Sequence, residues 1–107
     1  MPRQKFKTLT EQMFYILLCL KEECRGMDIL EMVRNRTGGR VNIGYATLYD
    51  LLEMFVTEGM IQETKVESRR RSYMLTPKGK DMLCKEYDRI MMQAQDFRNV
   101  FGEEVSQ

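Results

Sequence analysis

The densest charge in the chain is the run Arg69-Arg70-Arg71. Only Glu67 lies within two residues of it, so the three guanidinium groups have almost no local counter-charge. Arginines placed this way seek phosphate oxygens, or the narrow minor groove of a duplex, whose negative potential attracts them. A solvated charged turn is the plainer reading. A second group lies upstream, where Tyr45, Ala46, Thr47, Tyr49 and Asp50 form the opening of an apolar-periodic segment. Tyrosine and threonine hydroxyls can donate to phosphate oxygens, and a threonine methyl or an alanine can touch a thymine methyl. The plainer alternative is surface hydroxyls with tyrosine rings packed on a core.

Catalytic chemistry finds little footing. The chain has no histidine, which removes the commonest general base, metal ligand and triad member. Cys19, Cys24 and Cys84 show no Cys-x-x-Cys spacing and cannot all pair within one chain. Cys19 stands in an apolar run, so free thiols serving as small core residues are expected, with a thiol redox switch as a weaker idea. No phosphate-cradling glycine motif is present, and the carboxylates are scattered among basic residues. No enzyme activity, cofactor or metal is expected.

Those two groups need elements to hold them. Thr10 is a good N-cap with Glu11 in the first turn, ahead of the apolar run Met13–Leu20, which favours a largely buried helix. Gly26 marks a break. Ile29, Leu30, Met32 and Val33 then recur at helical spacing until Gly38-Gly39, where glycine supplies a helix C-terminus. Arg40-Val41-Asn42-Ile43 reads as a short extended piece, expected as a strand. Leu48, Leu51, Leu52 and Phe55 at i, i+3, i+4 and i+7 predict an amphipathic helix from about Tyr45 to Glu58, closed by Gly59. Residues 60–67 and 71–76 alternate around a polar turn at Ser68-Arg69-Arg70 and predict a hairpin. Thr76-Pro77 opens a last helix with a cap and a proline at its first position.

The order helix, helix, short strand, helix, hairpin, helix is that of a winged helix-turn-helix. The expected fold class is therefore mainly α with a small β-hairpin, plus a long C-terminal helix. In such a fold the helix beginning near Tyr45 enters the major groove with its N-terminal residues at the base edges.

The last helix carries a further signal. Leu83, Tyr87, Ile90, Ala94, Phe97 and Phe101 are spaced 4, 3, 4, 3 and 4, an a/d seam flanked by Met91. Packing across its own domain is one reading. Dimerisation is favoured, because the seam continues past the point where so small a domain should end. The expected division is a winged-helix domain over 1–76 and a dimerisation helix over 77–107. Charge agrees with it. Residues 1–80 hold 14 Lys and Arg against 10 Asp and Glu, and residues 81–107 hold 3 against 6, within a net charge of +1. The positive part suits a polyanion and the acidic part would point away from it.

Several of these segments together resemble the PadR family of transcriptional repressors, in its short form with one C-terminal helix. The resemblance rests on Leu9-Thr10, Gly26, Thr37-Gly38-Gly39-Arg40, Ala46-Thr47-Leu48-Tyr49, Glu58-Gly59-Met60-Ile61 and Arg70-Arg71-Ser72-Tyr73-Met74-Leu75-Thr76-Pro77-Lys78-Gly79. It implies a homodimer held by the last helix, bound to double-stranded DNA at an inverted-repeat operator and repressing nearby genes. In that family repression is often relieved by a small aromatic or drug-like effector, so a small hydrophobic effector is an expected partner here. By matching position, Thr47, Tyr49, Arg70 and Arg71 become DNA-contact candidates and Tyr73 packs the wing. The chain departs from the pattern at Arg25-Gly26-Met27, where His-Gly-Tyr is frequent, and at Leu52-Glu53-Met54-Phe55, where a basic residue is frequent. It also lacks the interface tryptophan of the drug-binding members.

The alternative function is a winged-helix protein-interaction module, to which the acidic Asp50 and Glu53 would be suited. No apolar run approaches the roughly 20 residues of a membrane span. The basic start Met1–Lys7 lacks an apolar signal core, so a cytoplasmic location is expected, with no membrane partner.

Overall fold

Thr10 caps the first helix as its position predicts. Its Oγ1 accepts from the Met13 N–H at 3.2 Å, and α1 runs Glu11–Cys19. The computed structural model describes residues 8–105, so the basic arm expected at the N-terminus lies almost wholly outside the described residues. After α1 come β1 (Cys24–Arg25), α2 (Gly26–Arg36), α3 (Tyr45–Thr57), β2 (Ile61–Glu67), β3 (Arg70–Leu75) and α4 (Pro77–Val105). Together they form a winged helix with a long C-terminal helix.

Glycine ends α2 and α3 by the same device. The Gly39 N–H donates to Arg34 O at 2.8 Å, and the Met60 N–H donates to Phe55 O at 2.9 Å. These are the long closing bonds of Schellman caps, formed around left-handed Gly38 (φ 61°) and Gly59 (φ 77°). α3 covers the span the leucine spacing predicts, with Leu48, Leu52 and Phe55 fully buried. They meet Ile16, Leu17 and Leu20 from the first helical segment, Ile29 and Val33 from α2, and Met60, Ile61 and Tyr73 from the hairpin.

Two expectations are corrected. Arg40–Ile43 is not a strand. Val41 and Ile43 are buried, but side chains serve the backbone here. The Val41 N–H donates to Thr37 Oγ1 at 3.0 Å, and the Asn42 side-chain amide donates to Gly39 O at 2.9 Å. The short strand is instead β1, before α2, and it pairs antiparallel with β3 to give a sheet of order β1-β3-β2. Two residues are too few to show a period of two in a sequence. The cysteines also diverge. Cys19 is buried as expected, whereas Cys24 is half-buried and Cys84 exposed, and all three are free.

α4 is anchored at its start. Thr76 Oγ1 accepts from the Gly79 N–H at 3.1 Å and donates to Gly59 O at 2.7 Å, while Lys78 Nζ donates to Glu58 O at 2.6 Å. Met82 and Leu83 pack on the core. Glu86, only 4 % exposed, is clamped by Arg89 and accepts from the Leu9 N–H. Beyond that point α4 leaves the body. With 29 residues it is about 43 Å long, and every residue from Tyr87 to Phe101 is exposed. No helix among the described residues is long and apolar enough to cross a membrane.

Candidate nucleic-acid interface

The start of α3 and the root of the wing face one another across a cleft of about 790 Å³. Tyr45, Tyr49 and Glu53 of α3 form one wall, and Arg69, Arg70, Arg71 and Tyr73 form the other. Five of the six residues expected at a DNA contact surface thus meet at one cleft. The sixth, Thr47, is exposed at the start of α3 but does not line it.

Tyr45 and Tyr49 differ in placement. Tyr45 is 60 % exposed. Tyr49 is half-buried rather than outward, packed against the core. Its ring lies 4.8 Å from that of Tyr45. Gly26 makes this possible. A Cβ there would stand 3.0 Å from Tyr49 Oη and 3.4 Å from Leu52 Cδ1, so a side chain at the start of α2 would crowd the ring and make it shift by a few tenths of an ångström. Burial raises the Tyr49 hydroxyl pKa, and the Tyr45 and Tyr73 hydroxyls raise it further. The group therefore stays a protonated donor through neutral pH.

The arginine run is divided by the hairpin. Ser68, left-handed at φ 56°, and Arg69 make the turn, and Arg70 and Arg71 already belong to β3. The expected three-residue turn is thus two residues long. Strand pairing sets Glu67 opposite Arg70 and Val66 opposite Arg71, with a bulge at Thr64. The bulge helps bring Glu63 to Arg71, whose Nε lies 3.5 Å from Glu63 Oε2. Arg71 also hydrogen-bonds the Tyr73 hydroxyl. Arg71 accordingly has a counter-charge that local sequence does not reveal, while Arg69 and Arg70 form no ion pair among the described residues. Tyr73 itself is buried at the base of the wing.

Arg25 and Met27 also line the cleft; the sequence marks both only as a departure from the family pattern, not as interface residues. Arg25 reaches it because β1 pairs with β3, setting Arg25 opposite Ser72, and it is partly engaged by Asp28 at 3.5 Å. The available signal was Gly26, whose lack of a side chain implies close packing beside these two residues. The cleft lining therefore carries four arginines against two glutamates, one of which is paired. Asp50 stands exposed on α3.

The profile of the PadR-like family of transcriptional regulators matches residues 16–85. The chain belongs to this family. The match runs from α1 into the third turn of α4 and contains every cleft residue. Solved PadR-like and related winged-helix structures agree in fold. A transcriptional regulator from Clostridium thermocellum superposes with a TM-score of 0.72 at 20% identity, covering 86% of this chain and 97% of that one. RosR of Halobacterium salinarum gives 0.69 at 18%, covering 94% and 96%. Bacillus subtilis PadR, solved in complex with operator DNA, gives 0.62 at 22%, covering 89% and 69%. No curated protein matches the sequence.

The expected seam divides in the same way as α4. Leu83 packs on the domain core. Tyr87, Ile90, Ala94, Phe97 and Phe101 continue its stripe along the free part of the helix, all exposed, with Phe97 and Phe101 rings 5.0 Å apart.

Proposed function

We propose that this PadR-like regulator is a homodimeric, sequence-specific repressor that binds an inverted-repeat operator in double-stranded DNA and performs no chemistry on a substrate. The observation that carries the reading is the shared cleft. The start of α3 and an arginine-bearing hairpin lie on one face, the arrangement needed to read a major groove while gripping the flanking phosphates. Thr47 and Tyr45 lie where base edges or phosphates can be reached. Tyr49 supports Tyr45 from below, and Arg69, Arg70 and Arg71 supply attraction independent of sequence.

Dimerisation is supported by the bare stripe. Tyr87, Ile90, Phe97 and Phe101 stay in water in the single chain, and an exposed apolar stripe of this length calls for a partner helix. The dimerisation segment begins at about Tyr87, because the first turns of α4 belong to the winged-helix core. Two copies joined along it would present two α3 helices to successive major grooves, about 34 Å apart. Release by a small hydrophobic effector completes the proposal, supported by Met91 and Phe97, which stand exposed at the stripe.

The deciding experiment is binding of the purified protein to mixed duplex DNA across a salt series. Tight binding at low salt that falls steeply as salt rises supports the proposal. Absence of low-salt binding refutes it and leaves the protein-interaction module, which the exposed Asp50 and Glu53 on α3 favour.

A further inference from the structure

The cleft between α3 and the wing holds one cation to which the proposed function gives no role. Arg25 is the last residue of β1 and directly precedes α2. Pairing of β1 with β3 sets it opposite Ser72, the residue after Arg71. Paired strands lie about 4.8 Å apart, so the basic surface of Arg69, Arg70 and Arg71 continues across the sheet onto β1. Four arginines line the cleft against Glu53 and Glu63, a net charge of +2, which would fall to +1 without Arg25.

Arg25 and Arg71 differ in where their counter-charges stand. Glu63 lines the cleft beside Arg71, so it offsets that arginine where an anion would sit. Asp28 lines the neighbouring groove and not this cleft, whereas Arg25 borders both. The Arg25 Nε lies 3.5 Å from Asp28 Oδ2, and both side chains are about half exposed. An ion pair this exposed contributes little, so a phosphate can share the guanidinium or replace the carboxylate. Arg25 forms no other ion pair among the described residues. Contact through Nε leaves the two terminal nitrogens outside the pair, and a guanidinium fork matches phosphate oxygens two at a time.

Position in the fold decides between base and backbone. In a helix-turn-helix the second helix reads base edges, while the helix before it crosses the backbone. Arg25 stands at the head of that earlier helix, α2.

We infer that Arg25 is a phosphate contact that strengthens binding to every duplex sequence alike. The inference rests on the DNA-binding reading above and extends it to a residue outside α3 and the wing.

The test measures affinity of the full chain for mixed duplex DNA across a salt series, with the parent, Arg25→Gln and Arg25→Lys. Both variants keep the backbone pairing with Ser72, and only lysine keeps the charge. Each lost phosphate contact flattens the slope of log affinity against log salt by about 0.9, so by about 1.8 for two protomers. Arg25→Gln should show that loss, and Arg25→Lys should keep the parent slope. A parent that fails to bind at low salt refutes the DNA reading, and the role of Arg25 falls with it. A parent that binds, with Arg25→Gln equally steep, overturns this inference alone. An Arg25→Lys slope as flat as that of Arg25→Gln also overturns it, because the effect would then be structural. A second measurement uses the unaltered protein and so does not depend on how a variant folds. The Arg25 Nε–Hε resonance of nitrogen-labelled protein should move when duplex DNA is added at low salt, and a resonance that stays in place beside DNA-shifted signals overturns the inference.

Discussion

Gly79 sits where α4 crosses the start of the hairpin, and replacing it with alanine tests whether this crossing is as close as described. A Cβ at residue 79 would lie 2.0 Å from the Met60 carbonyl oxygen and 2.9 Å from its carbon. Both contacts are backbone, so no side chain can swing away. Ordinary contact begins near 3.4 Å, so the helix must retreat by roughly 1.4 Å, an overpacking strain of about 1–3 kcal/mol. The same carbonyl accepts from the Thr76 N–H at 3.0 Å. Losing that bond adds about 1 kcal/mol. Alanine's better helix propensity returns at most ~1 kcal/mol. The net expectation is a loss of about 1–3 kcal/mol, which for a domain of this size lowers Tm by roughly 5–20 °C. The assay is thermal unfolding by circular dichroism at one fixed protein concentration, since the proposed dimer would make Tm concentration-dependent. Gly102→Ala is the matched control, because a Cβ there meets nothing within 4 Å. That variant should melt at or above the parent temperature. A Gly79→Ala protein that also melts at or above the parent would refute the close crossing, and with it the anchoring that fixes the direction of α4.

Other perturbations probe the interface, the stripe and the buried carboxylate. Each phosphate contact contributes about 0.9 to the slope of log affinity against log salt. Arg70→Ala with Arg71→Ala, removing two arginines from each of two protomers, should therefore flatten it by about 2–4, the lower figure applying if the Glu63 pair already silences Arg71. An unchanged slope removes the wing from the DNA contact. Ile90→Glu places a charge in the α4 stripe and should sediment as a monomer; dimeric mass in that variant counts against the stripe. Glu86 is held below the usual carboxylate range chiefly by its Arg89 hydrogen bonds, with the Leu9 N–H assisting and burial opposing. Its contribution is thus full above the unfolded pKa near 4.3 and fades as pH falls through the lower folded value. Glu86→Gln should lower the unfolding free energy read from urea titration at pH 7 by about 1–2 kcal/mol, with a lower midpoint, and narrow the difference from the parent at pH 3. Equal midpoints at pH 7 would show that the clamp contributes nothing.

The sequence alone determined the helices, the hairpin and their order. Caps and apolar spacing are local properties. Thr10 bonds its own first turn, Gly38 and Gly59 turn left-handed where a side chain would strain the backbone, and Leu48, Leu52 and Phe55 share one face whatever surrounds them. The arginine run and the a/d seam were legible for the same reason. What needed the tertiary structure was every relation between elements distant in sequence. β1 exists because β3 offers it hydrogen-bonding partners, and it brings Arg25 into the cleft. Arg71 finds Glu63 only across a bulged strand pair, so its charge balance was invisible in the residues beside it. Tyr49 turned inward because Gly26, 23 positions earlier, leaves room for its ring. Leu83 and Tyr87 belong to one stripe by spacing, yet the first packs on the core and the second stands in water. That division is set by where the body of the domain ends, a distance in space that no periodicity encodes.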